Sequence, residues 1–273
     1  MSATPVGRAE AVEFPGTAHP AALEPPARRE ARLRRLGRLA RLGKRSLAVF
    51  LGPDAGGALI LPRFFGCRTV VIDRDAVTRE RLERDARAAG VAERFEVRDL
   101  DPLAAAPPDI GGGADLLLAE GLAAARGLSA AAQALRPLLA EDGLLALHLR
   151  VALGREVPEQ VRRYWEARWS GPLRTVPETL ARLSSLLLEP MTCELLAPAA
   201  WDAWYAEQER FLIAMGDRDG DGTGGAGRAL ADLREERRVH EAGGRTSTAS
   251  GWFVGRRVIP GAPPRWPVRG PAT

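Results

Sequence analysis

The sequence predicts a doubly wound α/β domain, in which a mostly parallel sheet with an antiparallel last strand carries helices on both faces. Between Ser46 and Arg150, short apolar runs alternate with helical segments, which is the pattern of parallel strands joined by crossover helices. The runs are apolar at nearly every position, as is typical of strands that are covered on both faces. A glycine-rich turn follows the first run, at the place where such sheets bind ligands.

Composition limits the classes of protein to consider. The 273 residues are 45% hydrophobic, which is enough for a full core in one large domain with additions or in two small domains. The net charge is only +4 and Lys44 is the sole lysine, so the many arginines do not by themselves indicate nucleic-acid binding. No apolar run approaches the roughly 20 residues of a membrane span and no secretory signal is recognised, so a cytoplasmic protein is expected. Cys67 and Cys193 match no metal or redox spacing.

The N-terminal part divides into a tail and a basic helix. Residues 1–26 are rich in Pro, Ala and Gly and predict a disordered tail. Residues 27–45 repeat leucine at every third position between arginines, which predicts an amphipathic helix. Its leucines would pack on the sheet while its arginines stay in water; the alternative is a surface for RNA or for an acidic membrane. We favour packing, because arginine is frequent throughout the chain.

Five strands with their helices are predicted in order up to Arg150. Gly90 closes the helix after the second strand as a C-cap. The strands are SLAVFLG, RTVVID, RFEVRDL, ADLLLAEG and LLALHLRVA, and the helices between them are AGGALILPRFFG, AVTRERLERDARAAG and LSAAAQALRPLLAEDG.

Beyond Arg150, added helices precede the last strands. The segment VPEQVRRYWEARW predicts a helix, and Thr175 opens the next one as N-cap, with Pro177 in its first turn. MTCELLAP is predicted as the sixth strand and TASGWFVGRRVI as the last, with helices on either side of a flexible loop in residues 216–227 between them. The domain is therefore assigned to residues 27–259, followed by a disordered tail in 260–273.

Three segments are expected to meet at the carboxyl edge of the sheet. The glycines between Gly52 and Gly57 let backbone N–H groups approach a ligand. Asp73 ends the second strand about 20 residues later, where a carboxylate can accept the ribose hydroxyls of an adenosine. Asp99 ends the third strand, where it can accept the adenine amino group, and Glu120 closes the fourth strand beside them. These features predict a site for a nucleoside cofactor.

This order of segments resembles the class I S-adenosylmethionine (SAM)-dependent methyltransferases, whose sheet is Rossmann-like. The resemblance covers the strands and turns from Ser46 to Arg150 and extends to GWFVGRRV, which is similar to the antiparallel seventh strand of that family. LRPLLAEDGLLALHL is similar to the family's helix, turn and fifth strand. The family's first motif is an acid followed by three glycines at alternating positions. This chain has Phe50, Gly52, Asp54 and Gly56 there, so two of the four positions differ.

The resemblance implies SAM as the cofactor, with adenosine held by the two strand-end aspartates. Phe50 cannot contact the methionine end as the family's acid does. Asp54 supplies a carboxylate a few residues later, which suits the positive groups of the cofactor. The cofactor-binding residues predicted on this basis are Gly52, Asp54, Gly56, Asp73, Arg74, Asp99, Leu100 and Glu120.

The acceptor site is predicted within residues 151–215, because in the resembled family the segments after the fifth and sixth strands often form the acceptor pocket. Both tyrosines and four of the six tryptophans lie between residues 164 and 205, and an aromatic pocket suits an apolar or cationic small molecule. The same rings would alternatively attach added helices to the sheet or form a homodimer face. The predicted substrate-binding residues are Tyr164, Trp165, Trp169, Trp204 and Tyr205.

No catalytic residue and no metal site is assigned. Methyl transfer from a sulfonium needs mainly positioning and desolvation, so a base is not obligatory. His148 is a candidate base, but as the one polar residue in LLALHL it more often belongs to the core. DRDGDG begins like a calcium loop, but its twelfth position is Arg228 instead of a glutamate.

The sequence therefore predicts a SAM-dependent methyltransferase that acts on a small molecule. One alternative is a methyltransferase-like binding protein without catalysis, which the residues at Phe50 and Asp54 favour. Another is an RNA methyltransferase that uses the arginine-rich helix in 27–45. A nicotinamide dehydrogenase is disfavoured, because the turn lacks G-x-G-x-x-G spacing and Asp54 would repel a pyrophosphate.

Overall fold

The computed structural model describes residues 26–52, 57–100, 110, 113–219 and 225–261. The predicted tails, 1–26 and 260–273, lie almost entirely outside these ranges. The strands are β1 (Leu47–Leu51), β2 (Arg68–Ile72), β3 (Phe95–Arg98), β4 (Ala114–Ala119), β5 (Leu139–Ala152), β6 (Leu188–Leu195) and β7 (Thr248–Arg257). The helices are α1 (Pro26–Leu39), α2 (Ile60–Phe65), α3 (Ala76–Ala88), α4 (Leu122–Arg126), α5 (Leu128–Leu135), α6 (Glu159–Arg168), α7 (Val176–Ser185), α8 (Pro198–Asp219), α9 (Gly225–Val239) and α10 (Arg245–Ser247).

The seven strands form one sheet in the order β3-β2-β1-β4-β5-β7-β6. Pairing is parallel from β3 to β5, whereas β7 runs antiparallel to both β5 and β6. The predicted doubly wound sheet with an antiparallel last strand is thus confirmed. The strand order reverses between β1 and β4, which places a crevice at the carboxyl ends of these two strands.

Apolar layers cover both faces of the sheet. Successive residues of a strand point to opposite faces, so Phe50 and Leu51 of β1 belong to different layers. Helices α5 and α7 pack on the face of Leu51, and α1, α2 and α3 pack on the face of Phe50. Leu33 and Leu36 of α1 are buried there, as the leucine repeat predicts.

A helical cap stands over the carboxyl end of β5. We define the cap as α6, which follows β5, together with α8 and α9, which are inserted between β6 and β7. Since β6 ends and β7 begins at the edge where β5 ends, this insertion lies at the ligand-binding edge of the sheet. Trp165 of α6 meets Trp201 of α8 edge-on, with 6.4 Å between ring centroids, and α8 and α9 share an apolar cluster that includes Trp204 and Leu233.

Several element bounds differ from the sequence prediction, among them those of α2 and β6, and two of the differences have an evident physical cause. Helix α1 ends at Leu39 and not near residue 45, because Arg41 has a left-handed backbone conformation with φ 53°. Strand β5 begins at Leu139, where the sequence predicts a helix and a turn, since Pro137 cannot continue α5. The longer β5 reaches back to pair with the first residue of β4.

Candidate functional site

The crevice between β1 and β4 begins at Gly52. Its φ of 109° is a left-handed conformation that favours glycine, and a Cβ atom there would lie 2.5 Å from the backbone oxygen of Glu120. The backbone N–H of Glu120 donates to the Leu51 carbonyl oxygen at 2.9 Å, which holds the two strand ends together. A recess lies at these ends, lined by Phe50, Leu51, Gly52, Leu118, Glu120 and Trp252.

The glycine turn continues outside the described ranges. Residues 53–56 fall there, so the predicted cofactor residues Asp54 and Gly56 have no structural description. Where the chain returns, Gly57 packs against α1: a Cβ atom at Gly57 would lie 2.7 Å from Cδ1 of Leu33 and 3.0 Å from Cδ of Arg29. The basic helix α1 therefore packs against the chain directly after the turn.

Asp73 follows β2 at the same edge and is half-buried. Its Oδ1 accepts a hydrogen bond from the N–H of Asp75 at 2.8 Å, and its Oδ2 accepts none within the part of the chain that the structure describes. Burial raises the pKa of Asp73, and the neighbouring Asp75 carboxylate adds to the increase. Ligand hydroxyls that donate to this partly desolvated carboxylate would relieve its loss of hydration.

Arg79 links the ends of β2 and β3. Its Nη1 donates to the backbone oxygen of Arg74 at 2.9 Å and forms an ion pair with Oδ1 of Asp99 at 2.8 Å. The side chain of Asp99 is 68% exposed and Leu100 is 42% exposed, so both remain accessible to a ligand, as does Arg74. The structure thus brings Asp73, Arg74, Asp99 and Leu100 to one edge. Sequence reasoning missed Arg79, because no motif marks it.

His148 and Trp252 continue the row that Gly52 and Glu120 begin across the sheet. The β5–β7 register pairs His148 with Trp252, and their rings meet edge-on with 5.4 Å between centroids. The guanidinium of Arg32 stacks over Trp252 at 5.0 Å from the ring centroid. His148 is 0% exposed, so the structure places it in the core and not as a base open to the crevice.

The predicted acceptor aromatics form one continuous cluster in the cap, and an arginine occupies it. The guanidinium of Arg150 lies in the angle between the rings of Trp165 and Trp201, 3.9 and 4.3 Å from their centroids. Trp204 and Tyr205 pack beside Trp201, with centroid distances of 5.7 and 5.9 Å. These rings are buried within a single chain, so they attach the cap to β5 and do not form an exposed homodimer face.

Arg150 is 5% exposed and has only neutral hydrogen-bond partners within the described ranges. Its Nη2 donates to Oγ1 of Thr248 at 2.8 Å, and its Nη1 donates to Oγ of Ser250 at 3.5 Å. Burial lowers the pKa of Arg150 to about 10, an effect that Tyr205 and Glu236 partly offset, so the guanidinium is charged at neutral pH. Sequence reasoning missed Arg150, although an arginine inside an apolar strand is a signal for a buried charge.

A cavity of about 40 Å³ lies beside Arg150, past the carboxyl ends of β4 and β5. It opens on the face of the sheet that α5 and α7 cover. Two of the predicted substrate residues, Trp165 and Trp169, line this cavity in the described part of the chain. The other three, Tyr164, Trp204 and Tyr205, do not.

The described ranges contain neither a cluster of metal ligands nor a helix that could span a membrane. No group of three or more His, Cys, Asp or Glu side chains there is placed to hold a metal ion, and no helix there is long and apolar enough to cross a membrane. The segment DRDGDG lies partly outside those ranges. Helix α8 extends to Asp219 and α9 begins at Gly225, so both helices extend into the predicted loop 216–227.

Comparison with known proteins identifies similar solved structures. No family model matches the chain, and no curated protein matches it in sequence. A SAM-dependent methyltransferase from Thiobacillus denitrificans in complex with S-adenosyl-L-homocysteine is 21% identical, with 90% of this chain and 94% of that chain covered and a TM-score of 0.66. A SAM-dependent methyltransferase from Geobacter sulfurreducens, also in complex with S-adenosyl-L-homocysteine, is 20% identical, with 90% of this chain and 94% of that chain covered and a TM-score of 0.69. The [4+2]-cyclase SpnF is 14% identical, with 84% and 81% covered and a TM-score of 0.62.

Proposed function

We propose that this chain, which has the fold of the class I SAM-dependent methyltransferases, transfers a methyl group from SAM to a small-molecule acceptor. The observation that carries the proposal is the placement of Gly52, Asp73 and Asp99 at the carboxyl ends of three adjacent strands, β1, β2 and β3. Ligands of open α/β sheets bind at this edge. The two methyltransferase structures with bound S-adenosyl-L-homocysteine support the choice of cofactor.

The adenosine of SAM would lie along the ends of β2 and β3. Asp73 would accept the ribose hydroxyls through its half-buried carboxylate, and the exposed Asp99 would accept the adenine amino group. Arg79 holds these two segments at a fixed spacing through its contacts with Arg74 and Asp99. Leu100, exposed at the same edge, offers an apolar surface to the adenine ring.

Glu120 would supply the negative charge that Phe50 does not. Both side chains line the recess at the ends of β1 and β4, where Gly52 leaves the backbone open. Bound SAM brings an activated methyl group on a positively charged sulfonium, and a carboxylate close to it is electrostatically favourable. Phe50 and Trp252 form the apolar part of the same recess and would exclude water from the reacting atoms.

No side chain is assigned as a general base. His148 is buried, and the chain's contribution to transfer would be to align the acceptor with the methyl group and to exclude water. An acceptor whose reacting atom carries a lone pair at neutral pH needs no base. The free cysteines Cys67 and Cys193 are compatible with the cytoplasmic location that we propose for this enzyme.

An RNA acceptor receives less support than a small molecule. Three arginines of α1 are already engaged in the protein, since Arg32 is buried against Trp252 while the other two form ion pairs. These pairs are Arg34 with Glu30 and Arg35 with Glu194. The alternative of a binding protein without catalysis is favoured by Phe50, and the cyclase among the similar structures shows that this fold also serves other chemistry.

Calorimetric titration with SAM and with S-adenosylhomocysteine tests the proposal. We expect dissociation constants on the order of micromolar for the unchanged protein. Asp73→Ala should weaken binding roughly 10- to 100-fold, because hydrogen bonds to a charged group contribute about 1.5 to 3 kcal/mol. The matched control is Asp85→Ala, which removes an exposed aspartate on α3 and should leave affinity unchanged. Absence of binding at millimolar ligand would favour the binding-protein alternative, and full affinity in Asp73→Ala would remove the role given to Asp73.

A further inference from the structure

The segments that follow β2 and β3 are joined by their backbones. The carbonyl oxygen of Arg98, the last residue of β3, accepts hydrogen bonds from the N–H of Asp73 at 3.2 Å and from the N–H of Leu100 at 3.0 Å. The second of these bonds closes a three-residue turn with Asp99 at its centre. The backbone positions of Asp73 and Asp99 are therefore set by main-chain hydrogen bonds.

The side chain of Asp99, in contrast, is held by Arg79. Its Oδ1 forms the ion pair with Nη1 of Arg79 at 2.8 Å, and its carboxylate makes no other hydrogen bond or ion pair with a residue that the structure describes. Nη1 of Arg79 also donates to the backbone oxygen of Arg74, which anchors the guanidinium to the segment after β2. The side chain of Arg79 is 21% exposed and that of Asp99 is 68% exposed. The arginine is thus the fixed member of the pair, and it selects the rotamer of the carboxylate.

The stability of α3 does not account for an arginine at position 79. The helix is already capped by Asp75, whose Oδ2 accepts a hydrogen bond from the N–H of Thr78 at 2.9 Å. Arg79 follows Thr78 close to the N-terminus of the helix, where a cation opposes the helix macrodipole. Its contacts are instead with the two segments at the ligand-binding edge of the sheet.

A fixed Asp99 carboxylate favours a base that donates a hydrogen bond. Adenine carries an amino group at C6, and a carboxylate can only accept, so the two are complementary. The ion pair with Arg79 is made by Oδ1, and a carboxylate has about four lone-pair sites, so acceptance from the amino group remains open. A purine without an amino group at C6 would leave this carboxylate desolvated and without the donor.

We propose that Arg79 is a positioning residue that, through Asp99, makes the cofactor site select a purine with an amino group at C6. This inference rests on the proposed function, because it concerns how the same site recognises the base of SAM. Arg79 acts on the carboxylate and not on the base. The conformational entropy of the exposed Asp99 side chain is then lost on folding and not on binding, which strengthens selection of the amino group.

Calorimetric titration with two ligands tests this role. One ligand is S-adenosylhomocysteine, and the other is its analogue with unsubstituted purine, which lacks only the 6-amino group. We expect the unchanged protein to bind the first at least about tenfold more tightly, as a hydrogen bond to a charged group predicts. Arg79→Gln should weaken the binding of S-adenosylhomocysteine about fivefold and leave that of the purine analogue within about twofold, so the ratio of the two dissociation constants should fall below about threefold. Retained binding of the purine analogue also shows that the variant is folded.

A double-mutant cycle shows whether Arg79 acts through Asp99. Asp99→Ala should bring the ratio of dissociation constants close to about 1, and addition of Arg79→Gln should then change the affinity for S-adenosylhomocysteine by less than about twofold. A purely structural role of Arg79 would weaken both ligands equally and would add to the effect of Asp99→Ala. Arg84→Gln, which removes an exposed arginine of the same helix, is the matched control and should bind both ligands as the unchanged protein does.

The same titrations separate this inference from the proposed function. If the unchanged protein binds S-adenosylhomocysteine and Arg79→Gln keeps the full ratio, or if the two substitutions are additive, the positioning role is overturned while the proposed function stands. Equal affinity of the unchanged protein for the two ligands would also overturn the positioning role, since Asp99 would then receive no amino group. If the unchanged protein binds neither ligand at millimolar concentration, the proposed function is overturned and this inference with it.

Discussion

The substitution Arg150→Met removes a buried charge that joins β5 to the cap, yet it should change the free energy of unfolding by less than about 2 kcal/mol. Truncation of one partner in a buried ion pair ordinarily destabilises a protein by about 3 to 5 kcal/mol. Arg150 differs, because its hydrogen bonds go to hydroxyl groups, and the carboxylate that acts on its pKa, that of Glu236, accepts a hydrogen bond from Tyr205.

The expected magnitude follows from the surroundings of Arg150. A pKa of about 10 corresponds to about 3 kcal/mol of unfavourable free energy for the charged side chain in the fold, at roughly 1.4 kcal/mol per pKa unit. The contacts with Trp165 and Trp201 contribute about 2 kcal/mol each, and the hydrogen bond to Thr248 about 1 kcal/mol. A methionine side chain is shorter by two atoms, but its flexible thioether fills part of the space and makes sulfur–aromatic contacts of about 1 kcal/mol with each ring. The two side chains therefore stabilise the fold by similar amounts.

Urea unfolding followed by far-ultraviolet circular dichroism measures this difference without relying on the tryptophans beside the substitution. Arg163→Met, at an exposed position, should fall within about 0.5 kcal/mol of the unchanged protein. Trp201→Ala should lose about 3 to 5 kcal/mol, since it empties a buried aromatic position. If Arg150→Met lost more than about 3 kcal/mol, Arg150 would be a structural clamp between β5 and the cap, and the balance of free energies given above would be wrong.

Two further predictions concern Gly52 and His240. Gly52→Ala should destabilise the protein by at least about 1 kcal/mol more than Gly121→Ala. Both glycines have positive φ, but only at Gly52 would an added Cβ atom meet a neighbour, the backbone oxygen of Glu120 at 2.5 Å. Equal losses of unfolding free energy in urea would contradict this close approach. Burial, and then the Arg150 charge, lower the pKa of His240, against the opposing effect of Asp202. The folded state therefore favours neutral His240. The contribution of His240 to the free energy of unfolding is fully present above the unfolded-state pKa of about 6.5, and it is lost as the pH falls through the lower folded-state pKa. When the pH is lowered from about 7 to about 5, the free energy of unfolding should therefore decrease less in His240→Gln than in the unchanged protein. Equal decreases in the two proteins would rule out this linkage.

The fold class could be predicted from the sequence, and so could the position of two acidic residues at the ends of β2 and β3. Each of these depends on local pattern: an apolar run long enough for a strand, and a carboxylate directly after it. Asp73 and Asp99 follow such runs, so parallel pairing of β2 with β3 places them at the same edge. The alternation of apolar runs and helices likewise predicts the order in which the strands occur along the chain.

The surroundings of Arg150 could not be predicted in the same way. Its neighbours Trp165 and Trp201 lie on two different helices, and Thr248 lies on the last strand, so their meeting depends on how the cap packs on the sheet. A count of aromatic residues finds the cluster but does not show that the chain's own arginine occupies it. Arg79 was missed for a similar reason, because it acts through an ion pair with Asp99, which follows β3 and is distant in sequence.

The position of β7 between β5 and β6 has a consequence for synthesis of the chain. β7 is the last strand in sequence, and it pairs with both of those neighbours. From Leu195, where β6 ends, to Arg257, where β7 ends, the ribosome must add 62 residues. At about 5 to 20 residues per second this takes roughly 3 to 12 s. During that interval β5 and β6 lack the strand that joins them, and unpaired strand edges favour association between chains. Rapid elongation through the segment that encodes α8 and α9 would therefore favour correct folding.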